Sequence, residues 1–134
     1  MITDTIADCL TRLRNAGMAG HAQFKAPHSN MNEGIFRILM KEGYLSGVEV
    51  VSEGPTGKRK NLVVSLRYTK DGKPAVNFLR RVSRPSHRVY RKAPEKLEVR
   101  SGFGLQILST SKGLMTDKEA IEKKLGGEVI AELW

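Results

Sequence analysis

The feature that most constrains the fold is a change in the spacing of apolar residues along the chain. In two stretches of the first 43 residues, up to Gly17 and from Ser29 to Gly43, apolar side chains recur every three to four positions, the spacing typical of amphipathic helices. From about residue 48 onward they alternate or form short runs between glycine and proline turns, a pattern typical of β-strands. Helical spacing returns only after residue 116. The sequence therefore predicts an α+β protein.

Both early helices have recognisable ends. Thr3 or Asp4 can cap the first helix, which is expected to end at Gly17. Ser29 can cap the second helix, which is expected to close at Gly43.

The rest of the chain is predicted to be mostly β-structure. Strands are expected at residues 22–26, 48–52, 62–68, 75–79, 88–91, 97–99, 105–108 and 128–134. Thr116 and Glu119 match the capping-box pattern, which predicts a third helix running to Leu125 and broken by Gly126 and Gly127. The whole pattern indicates two lobes. Residues 1–72 would form a helix-containing lobe with a small sheet, packed on a mostly β lobe of residues 73–134 with one short helix.

The positive charge of the chain is concentrated in its middle third. The sequence has 23 Lys and Arg against 14 Asp and Glu, a net charge of +9. Residues 57–100 alone contain 14 basic and 3 acidic residues, and the flanking segments are close to neutral. Such a block favours a polyanionic partner, although a solvated basic face is the simpler alternative. Arginine suits phosphates and base edges, so nucleic acid is favoured over a membrane surface. The arginines of the densest stretch are Arg80, Arg81, Arg84, Arg88, Arg91 and Arg100.

Several other classes of protein are excluded. No apolar run approaches the ~20 residues of a membrane span, and the first residues lack a secretion signal, so a cytoplasmic location is expected. Cys9 is the only cysteine, which excludes an internal disulfide, and its place beside the first apolar stripe predicts a buried thiol. The three histidines lack ligand spacing, so neither a metal nor a cofactor is expected.

Possible enzyme motifs lack their partner residues. Ser109 and Lys112 fit the S-x-x-K pattern of serine acyl enzymes, but the accompanying S-D-N and K-T-G motifs are absent. Residues 54–58 resemble a fragment of a phosphate-binding loop, but the glycine spacing is too short and no Ser or Thr follows Lys58. The chain is therefore predicted not to be an enzyme, and a small hydrolase built on Ser109 and Lys112 is kept as an alternative for testing.

The most informative segment follows the apolar strand at residues 105–108. It consists of three small hydroxyl residues, a lysine and a glycine, namely Ser109, Thr110, Ser111, Lys112 and Gly113. Because glycine permits a positive φ, the strand end is expected to become a loop that displays short donors and backbone amides. Short hydroxyls can approach the shallow minor groove of folded RNA, and Lys112 would then contact a phosphate. An ordinary Ser/Thr turn is the alternative.

This segment resembles a known family. The run GLQILSTSKGLMTDKEA at 104–120 is similar to the signature of the bacterial small-subunit ribosomal protein S8 family. The resemblance covers essentially the whole chain. It extends to TDTIAD at 3–8, RLRNA at 12–16, KEGY at 41–44, RRVSRP at 80–85, RVY at 88–90, GGEV at 126–129 and the terminal Trp134.

The resemblance implies an α+β protein that binds small-subunit ribosomal RNA directly. Such a protein would attach to an irregular helix of the central domain early in assembly, next to other small-subunit ribosomal proteins. Ser109, Thr110 and Ser111 would contact bases and sugars, and Glu128 beside them would accept hydrogen bonds from an amino group or a 2′-hydroxyl. A solvent-facing strand end is the alternative role for Glu128. Tyr90 would stack on a base or sugar, or else lie in the core.

The resemblance also implies a second RNA contact from the first lobe, through Thr3, Asp4, Arg12 and Arg14. The complete set of predicted RNA-binding residues is Ser109, Thr110, Ser111, Lys112, Glu128, Tyr90, Arg80, Arg81, Arg84, Arg88, Thr3, Asp4, Arg12 and Arg14. A regulatory function is the main alternative, in which the same surface recognises a similar fold in the messenger RNA of its own operon and represses translation. No membrane and no small-molecule substrate is expected as a partner.

Overall fold

The computed structural model describes residues 4–92 and 104–134. Over these ranges the order of elements is α1 (Thr5–Ala19), β1 (Gln23–Pro27), α2 (Asn30–Lys41), β2 (Leu45–Glu53), β3 (Arg59–Leu66), β4 (Leu79–Arg81), β5 (Tyr90–Arg91), β6 (Leu105–Thr110), β7 (Gly113–Thr116), α3 (Asp117–Lys123) and β8 (Gly127–Leu133). The helices accompany two small antiparallel sheets, so the predicted α+β class is confirmed. Residues 5–76 form one compact unit, and Asp4 belongs with residues 77–92 and 104–134 in the other. The boundary expected from the sequence, after residue 72, lies four residues earlier.

The first unit combines α1 and α2 with a sheet of strand order β1-β3-β2. The start of α2 is as predicted, since the Ser29 hydroxyl accepts a hydrogen bond of 3.0 Å from the backbone N–H of Asn32. Its end is also as predicted, with Gly43 at a positive φ of 87° just after the last turn. The apolar stripes of both helices meet the sheet in a core that includes Leu10, Leu13, Ile35, Phe36, Leu39, Leu62 and Val64.

The predicted end of α1 at Gly17 is wrong. The helix continues to Ala19, and the residue with a positive φ is Gly20, at 73°. Gly17 is buried within the helix, where an added Cβ would lie 3.1 Å from Cγ of Pro74. Glycine at this position therefore serves close packing, a role that the local sequence does not reveal.

Cys9 lies on the buried side of α1, as predicted. Its side chain is almost completely inaccessible. Burial, followed by the neighbouring Asp8 carboxylate, raises the pKa of the Cys9 thiol to about 11, against a smaller opposing effect of Arg12. The thiol is therefore protonated and packed at neutral pH.

The second unit is built on a sheet of order β4-β8-β6-β7, with β5 pairing β8 as well. Three features of this sheet differ from the sequence prediction, and at β5 only Tyr90 and Arg91 of the strand predicted at 88–91 are paired. No strand is predicted between the loop that ends at Gly113 and the helix cap at Thr116, where the structure has β7. Only Leu79 of the strand predicted at 75–79 lies in β4, because the backbone N–H groups of Asn77 and Phe78 both donate to the Trp134 carbonyl and interrupt the regular ladder. The strand predicted at 97–99 lies outside the described residues.

A β-bulge in β8 interrupts the alternation of buried and exposed side chains along the strand. Ile107 pairs with Ala131 and Leu108 with Val129, so Ile130 is the extra residue on β8. Val129, Ile130 and Ala131 are consequently all buried, in place of the strict alternation of an ordinary strand. Beyond the bulge, Glu128 pairs with Ser109.

Helix α3 begins as predicted and ends earlier. The Thr116 hydroxyl accepts a hydrogen bond of 3.3 Å from the N–H of Glu119, as expected for the N-cap. The helix was predicted to reach Leu125 but ends at Lys123, since Lys124 adopts a left-handed conformation with φ of 54°. This residue closes the helix before the two glycines are reached.

Candidate nucleic-acid interface

Three of the predicted RNA-binding residues lie side by side in one row across the second sheet. Tyr90 of β5 pairs with Glu128 of β8, and Glu128 pairs with Ser109 of β6. Ser109 in turn pairs with Leu114 of β7. Side chains of directly paired residues stand on the same face of a sheet, with Cβ atoms about 5 Å apart. Residues separated by up to 38 positions in the sequence thus become immediate neighbours.

Tyr90 ends this row with an exposed ring. The residue is 68% accessible, so the alternative of a core tyrosine does not hold. An exposed aromatic face beside hydrogen-bonding groups is suited to stacking on a base or a sugar.

Next to the row, β6 and β7 are joined by a two-residue turn. Thr110 pairs with Gly113, which takes a positive φ of 105°, and Ser111 and Lys112 form the exposed turn. The Thr110 hydroxyl donates to the Gly113 carbonyl at 2.9 Å and accepts from the Lys112 N–H at 3.1 Å. Thr110 therefore shapes the turn, whereas Ser111 and Lys112 present their side chains to solvent.

Gly127 allows the two central strands to meet at this end of the sheet. An added Cβ there would lie 2.2 Å from the carbonyl oxygen of Ser109, which is far inside van der Waals contact. Sequence reasoning assigned this glycine only to breaking α3. In the structure, the absence of a side chain at Gly127 lets β8 lie against β6 beside Ser109 and Glu128.

A loop of arginines projects from the same edge of the sheet. Strands β4 and β5 both pair with β8, and residues 84–88 leave the ladder between them. The backbones of Arg84 and His87 exchange hydrogen bonds of 2.9 and 3.0 Å, which closes a turn with Pro85 in its second position. Proline there is favoured because its fixed φ matches the turn. Arg84, His87 and Arg88 are exposed.

The Glu128 carboxylate is held by two partners. Ser83 Oγ and Arg88 Nη1 both donate to its Oε2, the latter at 2.9 Å. The Glu128 side chain is only 17% exposed, unlike a solvent-facing strand end. Burial alone would raise the pKa of Glu128, but the hydrogen bonds from Ser83 and Arg88 outweigh it and hold the pKa below 4.5. Sequence reasoning missed Ser83, because a serine in a basic run gives no sign of being buried.

The other arginines of this segment have internal partners. Arg81 is 8% exposed, donates from Nη1 to the Ile130 carbonyl at 2.7 Å, and lies 3.3 Å from the Asp4 carboxylate. Arg80 forms an ion pair with Glu132 but remains 59% exposed. Arg81 and Asp4, both predicted RNA contacts, are thus paired with each other, whereas Arg80 is accessible.

Two of the contacts predicted for the first lobe, Arg12 and Arg14, fall in the other unit. Arg12 of α1 donates to the Asp8 carboxylate at 3.1 Å and to the Lys25 carbonyl at 3.2 Å, which ties α1 to β1. Arg14 is exposed on the same helix. Thr3 lies outside the described residues.

The basic segment predicted from the sequence is also divided between the two units. Residues 57–76 belong to the first unit and residues 77–92 to the second. The arginine-rich loop therefore represents only part of the positive charge that the sequence localises to residues 57–100.

Two further properties concern only the part of the chain that the structure describes. Over residues 4–92 and 104–134, the His, Cys, Asp and Glu side chains form no group of three or more that could hold a metal ion. None of the helices within these ranges has the length and hydropathy of a membrane span.

Taken with the fold, these groups define a small, basic α+β protein of the nucleic-acid-binding kind. The sequence profile of the family described as Ribosomal protein S8 matches residues 4–134, and the chain belongs to this family. It is similar to the small ribosomal subunit protein uS8 of Streptococcus sanguinis strain SK36, with 45% identity over 100% of this chain and 99% of the relative. It is also similar to the uS8 protein of Streptococcus pneumoniae serotype 19F strain G54, with 46% identity over the same shares.

Membership of the S8 family confirms several predictions made from the sequence. The resemblance to the S8 family is confirmed, as is the prediction of a ribosomal protein that works in the cytoplasm and is not an enzyme. The hydrolase alternative built on Ser109 and Lys112 is therefore dropped.

Proposed function

We propose that this protein is an RNA-binding constituent of the small ribosomal subunit, which binds the central domain of the ribosomal RNA directly and assists assembly. Neighbouring ribosomal proteins would be its other partners. The observation that carries the proposal is the row of Tyr90, Glu128 and Ser109 beside the exposed turn of Ser111 and Lys112. This row combines an aromatic face, an acceptor and short hydroxyls in one place.

Each group in this surface has a distinct chemical task. The Tyr90 ring stacks on a base or sugar, while the hydroxyls of Ser109 and Ser111 reach base edges and 2′-hydroxyls. Glu128 accepts a hydrogen bond from an amino group or a 2′-hydroxyl. Because a carboxylate repels phosphate, Glu128 improves discrimination more than affinity, and its ion pair with Arg88 reduces that repulsion.

Exposed cations around the row supply the sequence-independent part of binding. Arg84 and Arg88 project from the arginine loop, and Lys112 projects from the turn. All three are accessible to phosphates, and contacts of this kind orient a protein on RNA without reading its sequence. Arg80 adds a further accessible cation, while Arg81 supports the surface from inside.

The test is binding of the full chain to a transcript of the central-domain helix at several salt concentrations. The control is an RNA of equal length in which the irregular helix is replaced by a regular duplex. We expect tighter binding to the irregular helix, and affinity that falls with salt by about 0.7–0.9 log units per log unit of salt for each phosphate contacted. A salt slope near zero, or equal affinity for both RNAs, would refute the proposal.

A second candidate function uses the same surface on a different RNA. The groups in the row read the shape and edges of a folded RNA, so an operon messenger RNA with a similar fold would also bind. Competition between the two RNAs for the purified protein decides whether translational repression is added to the ribosomal role. A messenger RNA that fails to displace the ribosomal helix at any concentration would remove this candidate.

A further inference from the structure

Ser83 occupies an unusual place beneath the candidate interface. Its side chain is fully buried, with 0% accessibility. Its hydroxyl donates to Glu128 Oε2 and accepts from the backbone N–H of Val89 at 3.2 Å. The Ser83 hydroxyl thus donates one hydrogen bond to β8 and accepts one from Val89. Because Ser83 and Val89 flank the arginine loop, this hydroxyl joins β8 to both ends of the loop.

Backbone hydrogen bonds and the Ser83 hydroxyl together close the base of the arginine loop, residues 84–88. The Ser83 N–H donates to the Val129 carbonyl at 3.0 Å, and the Val129 N–H donates to the Val89 carbonyl at 2.9 Å. The hydroxyl adds a direct link between Ser83 and Val89 on either side of residues 84–88. Arg84 and Arg88 therefore project from a loop whose two ends are fixed to each other and to β8.

The same hydroxyl orients the carboxylate in the row. Within the part of the chain that the structure describes, the bonds from Ser83 and Arg88 both fall on Oε2 of Glu128. Ser83 approaches from inside the protein and Arg88 from the exposed loop. Together they fix the carboxylate plane beside Ser109, its paired neighbour on β6.

We propose that Ser83 is a positioning residue of the RNA-binding surface, whose hydroxyl holds Glu128 and the arginine loop in one arrangement and so sets RNA discrimination without touching RNA. This inference rests on the proposed function. It assigns to a buried serine a part in specificity that neither its residue type nor its burial suggests.

The first test compares Ser83→Ala with Ser86→Ala. Ser86 is an exposed serine of the same loop, so it controls for loss of a hydroxyl from this segment. We expect Ser83→Ala to lower the affinity ratio between the irregular-helix RNA and the regular duplex by at least about tenfold, the lower bound for loss of one hydrogen bond to a charged group. The salt slope should stay the same, because no charge is removed. Ser86→Ala should leave the ratio unchanged.

Two spectroscopic measurements separate positioning from general stabilisation. Carbon-13 NMR titration should show the pKa of Glu128 rising toward its ordinary value in Ser83→Ala, because one of its hydrogen bonds is lost. Amide hydrogen exchange should become faster at Val89, whose N–H loses its acceptor, while the core strands keep their protection. Neither measurement should change in Ser86→Ala.

Ser83→Cys provides a second variant of the same side-chain shape, with a larger atom and a weaker donor. It should lie between the wild type and Ser83→Ala in all three measurements, and it replaces the alanine variant if that protein does not fold. Full RNA discrimination in a folded Ser83→Ala or Ser83→Cys variant would overturn the inference, whether or not the pKa of Glu128 had moved. Failure of the wild type to distinguish the two RNAs would instead overturn the proposed function.

Discussion

At the scale of single residues, the three hydroxyls of the Ser-Thr-Ser run have different tasks. Ser111 is exposed in the turn, whereas the Thr110 hydroxyl is engaged by Lys112 and Gly113. We expect Ser111→Ala to weaken cognate binding by ~1–3 kcal/mol, as for loss of a base-edge contact, with stability changed by less than ~0.5 kcal/mol. Titration of cognate and control RNAs, together with urea unfolding, measures both quantities.

Thr110→Val is the variant to compare with Ser111→Ala, because it keeps the branched shape of the side chain and removes its hydroxyl. It should lower both the free energy of unfolding and cognate affinity, since two hydrogen bonds of the turn are lost. A Ser111→Ala variant that loses affinity equally for every RNA would contradict a direct role in recognition.

Glu128 should make stability depend on pH in the acid range. Its pKa is below 4.5 in the folded protein, because the bonds from Ser83 and Arg88 outweigh its burial. A group with a lowered folded pKa contributes stability above its unfolded pKa, and this contribution is lost as pH falls through the folded value. We expect Glu128→Gln to be less stable than the wild type at pH 7, with the difference shrinking as pH falls below 4.5. Denaturant unfolding at several pH values tests this, and a pH-independent difference would contradict it.

At the scale of secondary-structure elements, what could be predicted from the sequence depends on how local the cause is. The N-caps Ser29 and Thr116 were predicted because their hydroxyls bond to backbone groups three residues away. The role of Gly17 was not predicted, because its reason is Pro74, far along the chain. Strand β7 was missed for a similar reason, since four residues become a strand only when β6 lies beside them.

For the candidate site too, what could be predicted from the sequence depends on how local the cause is. The run of Ser109 to Lys112 could be found from the sequence because those residues are adjacent. The burial of Arg81 and the use of Ser83 beneath Glu128 could not be found, because both depend on contacts made across β8. The residues of the site are therefore predictable where they form a motif, and unpredictable where the sheet brings distant segments together.

Gly127 gives an element-scale prediction about the pairing of β6 and β8. In Gly127→Ala the new Cβ would meet the carbonyl oxygen and carbon of Ser109, at 2.2 and 2.9 Å, and these backbone atoms cannot move without opening the ladder. We expect a loss of at least about 1–3 kcal/mol in the free energy of unfolding, together with weaker cognate binding. Gly47→Ala is the control, because the nearest atom to a Cβ there is an ordinary contact at 3.6 Å. Equal stability of the two variants in thermal unfolding would contradict this role of Gly127.

At the scale of the whole molecule, the question is which part of the net charge of +9 acts on RNA. The basic segment is shared between the two units, and in the first unit it begins with Lys58 of the β2–β3 turn and with Arg59 and Lys60 of β3. The candidate surface lies entirely in the second unit. Local charge density in the sequence therefore overstates the charge available to that surface.

Two double variants separate these contributions, because each removes two exposed cations and lowers the net charge equally. Arg84→Gln with Lys112→Gln should reduce the magnitude of the salt slope by about 1.4–1.8, since both side chains flank the row and each released counterion contributes about 0.7–0.9. Lys58→Gln with Lys60→Gln should leave the slope for the central-domain helix nearly unchanged. Binding is measured between low and moderate salt, where the slope is linear. Equal flattening by both variants would show that phosphate contacts extend over both units, and that net charge, more than the surface around Glu128, governs affinity.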